Sequence, residues 1–302
     1  MPPAVGGGGD NTATTSCPYI RPWERCARSE ATPAPAKPFA AALFLHQLGN
    51  RTLLLVGDSV QGQLFVALAC GVHEQAPEMV SSSHMDWIGA SHIKTLSKRC
   101  GHERGRCHFW SGCLSFESGG RLCWTSAHTP QLAGIAQWLT KHMAKFAPEP
   151  ALLVLAYGSM ALQYTGAMPL ERFEESGRQE ALQLVRALSA RSPRPKGLWR
   201  ETTAQHFKQP GGFFRGSRLG QTNRVSNGSA GCVPHSPAEM ERWGQLWNSG
   251  SAEPLRDAGI TRMRVWASTR DASDATIGRG DCTHYCQPGV PDAWAAMLVD
   301  SL

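Results

Sequence analysis

Five consecutive residues, Thr52-Leu53-Leu54-Leu55-Val56, place the tightest limit on how this chain folds. A short, unbroken apolar run is the pattern of a strand covered on both faces; a half-exposed strand would alternate. Gly57-Asp58-Ser59 follows, and Val60 to Leu68 has helical character. Buried strand, tight turn and helix open an α/β unit. The pattern returns downstream. Thr129 to Phe146 sets Leu132, Ile135, Leu139, Met143 and Phe146 on one helical face, and Leu152-Leu153-Val154-Leu155 is a second buried run. Further elements are a helix over Pro169 to Arg191, a short strand at Gly197-Leu198-Trp199 and a helix over Pro237 to Trp247 with Ser236 as N-cap. A last strand over Met263 to Trp266 and a closing helix over Pro291 to Leu302 complete the set. Alternating strands and helices predict a mostly parallel sheet with helices on both faces, a three-layer α/β/α sandwich.

Residues 1–38, with a Gly run and a Pro-Ala stretch, are expected to be a flexible tail whose later part, with Cys17 and Cys26, is tied down; 39–302 form the folded domain. Lys208 to Gly231, rich in Gly, Ser and Asn, is expected to be a long loop, with a substrate lid as its functional reading. With 18% charged and 41% apolar residues the chain is globular rather than disordered. The net charge of +6 is spread along the chain. It suits an acidic partner such as a uronic-acid polysaccharide and lacks the dense basic clusters of a nucleic-acid binder.

Ten cysteines, an even number with no C-x-x-C pair, fit disulfides and an oxidising compartment better than a zinc site. Nearness in sequence suggests Cys17–Cys26 and links within Cys100 to Cys123. Sequons at Asn50 and Asn227 point the same way. The first ten residues lack the charged and apolar regions of a leader, so a lumenal protein is expected to lack its start here, and any membrane anchor with it. The ten Trp are expected to be mostly core, with a few available as sugar platforms.

Two short motifs carry chemistry. Ser59 stands at the first strand-to-helix turn, where ligands bind in open α/β sheets. Alone, the tripeptide suits a capping turn. Asp281-Cys282-Thr283-His284, just before the closing helix, places a carboxylate and an imidazole three residues apart, as a base and its orienting partner require.

In this order, Gly57-Asp58-Ser59 and Asp281-x-x-His284 resemble the SGNH (GDSL-type) hydrolases. The stretch from Asp281 to Trp294 and the segment Trp199-Arg200-Glu201-Thr202-Thr203-Ala204-Gln205-His206-Phe207 are similar to signatures of the trichome birefringence-like and PC-esterase families. The resemblance implies an SGNH-like catalytic domain and a Golgi-lumen O-acetyltransferase of cell-wall polysaccharides. Its triad would be Ser59 as nucleophile, His284 as base and Asp281 as orienter. Gly158, Gln63, Arg200 and His206 become oxyanion or substrate candidates, with His206 favoured as structural. No cofactor or metal is implied, only an acetyl donor of unknown identity and a polysaccharide acceptor. Two departures stand out. Ala156 occupies the family's oxyanion Asn position, and Gln61-Gly62-Gln63 replaces a segment with an Arg. Acetyl esterase chemistry on the same triad, or glycan binding without catalysis, therefore stays open.

Overall fold

The computed structural model describes residues 17–20, 38–86, 111–126, 150–156, 170–191, 194–208, 232–278 and 281–302. Helix α1 (Ala41–Leu48) leads to strand β1 (Thr52–Gly57) and helix α2 (Ser59–Gln75). Strands β2 (Val80–Asp86), β3 (Ser111–Phe116), β4 (Arg121–Ser126) and β5 (Pro150–Ala156) follow. Next come α3 (Leu170–Ser189), β6 (Lys196–Arg200), α4 (Pro237–Asp257), β7 (Thr261–Met263) and a single-turn helix, α5 (Trp266–Thr269). The chain ends with β8 (Thr276–Gly278), β9 (Asp281–Tyr285) and α6 (Val290–Val299).

Seven strands form one sheet in the order β2-β3-β4-β1-β5-β6-β7, and β8 and β9 form a separate antiparallel pair. From β4 to β7 all neighbours are parallel; β2 and β3 extend the sheet antiparallel. Leu53 to Val56 are wholly buried and split between the two faces. Leu53 and Leu55, with Leu152, Val154 and Leu198, pack on Val60, Leu64 and Leu68 of α2 and on Trp294 and Leu298 of α6. Leu54 and Val56, with Leu153, Leu155 and Trp199, pack on Ala181, Leu184 and Leu188 of α3 and Leu255 of α4. Each such side chain contributes about 1.5–3 kcal/mol by leaving water. The three-layer sandwich with a mostly parallel sheet is thus observed.

Several expectations change. Helix α1, which the sequence pattern did not show, buries Phe44 and Leu48 in the core shared with α2. Cys17 does not join Cys26: it is bonded to Cys70 on α2, and Tyr19 sits edge-on to His73. Part of the supposed tail is therefore held against the domain. Cys113 and Cys123 face each other across β3 and β4 and are bonded, a link inside the expected cluster. Ser236 caps α4 as expected, with Glu239 completing a capping box, but the helix runs ten residues further, through Pro254. β7 stops at Met263, and Trp266 opens α5. The helix expected over 129–146, the loop after Lys208 and the Asn227 sequon lie outside the described residues. Among the described residues no helix is long and apolar enough to cross a membrane.

Candidate active site

Gly57 ends β1 and Asp58 makes the turn. Asp58 Oδ1 accepts the N–H groups of Val60 at 3.0 Å and Gln61 at 3.3 Å, so Asp58, not Ser59, caps α2. Ser59 is the first helical residue, and its N–H is one of the donors that a helix cannot satisfy internally. Gly57 is required by crowding: a Cβ there would lie 2.7 Å from Gln61 Cβ and 3.1 Å from Ala156 Cβ. Ala156, at the carboxyl end of β5, therefore adjoins the turn, and a methyl group stands where an amide donor was looked for.

β9 brings the second half. The Ser59 hydroxyl donates to His284 Nε2 at 2.6 Å, and His284 Nδ1–H donates to Asp281 Oδ2 at 2.8 Å. That tautomer follows from the carboxylate, which can only accept. Asp281 Oδ1 accepts the backbone N–H groups of Thr283 and His284, both at 3.1 Å. Burial alone would raise the Asp281 carboxyl. The hydrogen bond and charge of His284, with the two backbone donors, outweigh it and hold the group below its ordinary range. The His284 side chain is 16% exposed and Ser59 is half-buried, so the relay opens to solvent. The three residues sequence reasoning selected as a triad are thus hydrogen-bonded in sequence. Asp58 does not serve as the imidazole's carboxylate partner.

The other candidates fare differently. Gln63 is wholly buried and turns its amide to backbone: Nε2–H donates to the Tyr285 carbonyl at 2.7 Å and Oε1 accepts the Tyr285 N–H at 3.1 Å. Its amide oxygen and one of its two amide N–H groups are thus spent on β9. Arg200 is only 2% exposed. Its Nε–H donates to Gln61 Oε1 at 2.7 Å, a terminal N–H to the Glu201 carbonyl at 3.1 Å, and its guanidinium lies 5.3 Å from the Trp294 ring centre. Burial lowers its pKa to about 10, with Asp58, Tyr285 and Glu201 opposing, and it remains a cation at neutral pH. It links the end of β6 to Gln61 on α2. His206 is also wholly buried; Nε2–H donates to the Thr269 carbonyl at 2.9 Å, and burial lowers its pKa, which keeps the ring neutral. Gly158 lies outside the described residues. The missing Arg has a steric counterpart: a Cβ at Gly62 would fall 2.6 Å from the Trp124 ring, so no side chain fits there.

What sequence reasoning missed is the bracing of β9. Cys282 is bonded to Cys232, His206 N–H donates to the Cys282 carbonyl at 3.2 Å, and the Tyr285 hydroxyl donates to the Ala204 carbonyl at 2.6 Å. Burial pushes the Tyr285 phenol up and keeps it a donor. The segment 202–206 thus supports the strand that carries the imidazole.

Residues 177–301 match the family model PC-Esterase, a GDSL/SGNH-like acyl-esterase family found in Pmr5 and Cas1p. The match takes in Asp281 and His284 and leaves Ser59 outside. No curated protein is a match. Among solved structures, the chain is similar to a protein described as a GDSL-like lipase from Parabacteroides merdae, at 9% identity and a TM-score of 0.46, covering 83% of this chain and 95% of that one. An α/β hydrolase from the metagenome of Lake Arreo, Spain, aligns at 9% identity and 0.41, covering 83% and 94%. A catalytic mutant of an acetylxylan esterase from Geobacillus stearothermophilus aligns at 11% and 0.34, covering 73% and 78%. Over residues 177–301, the part that carries β9 and its Asp-His pair, this chain matches the PC-esterase family of GDSL/SGNH-like acyl esterases.

Proposed function

We propose that the protein moves an acetyl group onto a polysaccharide hydroxyl through an acetyl-Ser59 intermediate. One observation carries the reading: the Ser59 hydroxyl lies 2.6 Å from His284 Nε2, although the two are 225 residues apart in sequence. The His284 ring is held from behind by Asp281. Ser59 attacks the acetyl carbonyl while its proton passes to His284 Nε2. The donor's leaving group departs with that proton, leaving acetyl on Ser59. A sugar hydroxyl then gives its proton to His284 and attacks the acetyl carbon, and Ser59 recovers its proton as the ester bond breaks. Asp281 keeps the ring in the required tautomer and stabilises the imidazolium. The Ser59 N–H at the start of α2 is placed to share in binding the oxyanion, and Ala156 contributes no donor from its side chain.

If water takes the place of the sugar, the same cycle is ester hydrolysis, a reading favoured by the family's description as acyl esterases. Disulfides among the described residues fit an oxidising compartment, and the proposal places the protein in the secretory pathway, in the Golgi lumen. Its partners are an acetyl donor and a polysaccharide, acidic in keeping with the +6 charge.

The test is covalent. Purified protein is incubated with an activated acetyl ester, and intact mass and peptide mapping follow. An acetyl adduct on Ser59, absent from His284→Ala, is expected; no adduct under conditions that label a related enzyme would overturn the proposal. Turnover with bare and with acetylated glycans then separates transfer from hydrolysis.

A further inference from the structure

We infer that Gln63 is a positioning residue that sets His284 against Ser59, a role that rests on the acyl-transfer reading above. Ser59 and Gln63 are four apart on α2 and therefore share one helical face. His284 and Tyr285 are consecutive on β9. Two adjacent rungs thus join helix to strand. The first is the Ser59–His284 contact. The second is the paired hydrogen bond of the Gln63 amide with both backbone groups of Tyr285, at 2.7 and 3.1 Å.

This second rung has a defined polarity. Tyr285 N–H can only donate and its carbonyl can only accept, so the amide has one fitting orientation. It is also wholly buried, where an unmade hydrogen bond costs the most. A third tie, from Gln287 Nε2–H to the Gln63 carbonyl at 2.7 Å, fixes the next stretch of chain to the same helical turn. β9 lies outside the main sheet and has β8 as its ladder partner. The main sheet's backbone ladder therefore does not fix the height of His284 relative to α2. The Gln63 amide supplies that fixed point, one residue from the base.

A side chain of this kind acts on rate more than on binding. If the imidazole drifts by about 1 Å, proton transfer suffers by about 100-fold while the ester still reaches the pocket. Gln63→Met keeps the length and removes both hydrogen bonds; Gln63→Asn keeps the amide but is too short to span the gap. Both variants and the wild type are to be compared for the rate of Ser59 acetylation by an activated acetyl ester. The nitrogen NMR signals of the His284 ring and amide exchange at Tyr285 are read in parallel.

The expected result for Gln63→Met is a fall of about 10- to 100-fold in kcat at unchanged KM, shifted His284 nitrogen signals and faster Tyr285 exchange. Wild-type acetylation with wild-type His284 signals would overturn the role. So would a fall in thermal stability alone, which is what a merely structural side chain would produce. If Gln63→Met does not fold, Gln63→Asn is read by the same criteria. If neither folds, the wild-type Tyr285 amide decides: strong protection supports the clasp, and exchange at the rate of an open amide overturns it. If wild-type protein is never acetylated, the acyl-transfer reading fails separately, and the His284 signals alone judge the clasp.

Discussion

The two halves of the site are built by different means. Ser59 follows a strand whose Leu53, Leu54, Leu55 and Val56 are all fully buried, in the middle of a seven-stranded sheet with helices on both faces. β9, with Asp281 and His284, belongs to a two-stranded pair beside that sheet. Discrete ties hold it: the Cys232–Cys282 disulfide, the Gln63 amide, the Tyr285 hydroxyl and the His206 N–H. Apolar packing is non-directional and spreads a loss over many neighbours. Hydrogen bonds are directional, and each sets one atom's position. Damage to the apolar packing beneath Ser59 should therefore lower stability and leave the rate per folded molecule. Damage to the second half should lower the rate first.

The largest effect tests whether both halves serve one reaction. Ser59→Ala should abolish acetylation, a loss of up to about 10⁶-fold, without loss of fold; residual labelling at the wild-type rate would break the link between α2 and β9. Asp281→Asn should cost about 10⁴-fold, because an amide in place of the carboxylate favours the wrong imidazole tautomer. A drop no larger than tenfold would mean that β9 orients the ring without its carboxylate.

Stability experiments sharpen the contrast. Leu54→Ala should destabilise by about 2–5 kcal/mol in denaturant unfolding while the acetylation rate of the folded fraction is kept. Replacing Cys232 and Cys282 together by Ser should cost about 2–4 kcal/mol and, unlike Leu54→Ala, also slow acetylation by freeing β9. If both changes affected rate alike, the division of labour would fail. The smallest effect concerns pH. The folded-state pKa of Asp281 is depressed below 3.8, so its ionised form contributes stability above the unfolded value, lost as pH falls through the folded one. Between about pH 5 and pH 3, wild-type unfolding free energy should fall relative to Asp281→Asn; parallel curves would mean the depression is absent.

Much of this was legible because it is local. The buried strand at Leu53, the turn at Gly57, the Ser236 cap and the Asp281-x-x-His284 spacing each need only a few neighbouring residues to be recognised. β2, β3 and β4 escaped notice. β3 alternates, with Leu114 and Phe116 buried and Cys113 and Ser115 half-buried, while β2 is mostly polar and β4 has only the short apolar stretch Leu122-Cys123-Trp124; such strands show their buried face only once the sheet is known. α1 escaped because its apolar residues pack on α2 and α6 rather than on neighbours in sequence.

The sequence by itself determined the layer architecture, the order of the two motifs and the identity of the Ser, Asp and His. Spacing and periodicity are short-range properties of the chain. Tertiary structure decided which polar residues face the site and which serve the scaffold. Gln63 and Arg200 were candidates for substrate contact and are bonded to Tyr285 and Gln61, while His206, favoured as structural, is bonded to Thr269. It also decided that Cys17 joins Cys70 and that Ala156 lies against Gly57. The physical reason is that a buried polar group must find a partner, and residues far along the chain supply it only after folding.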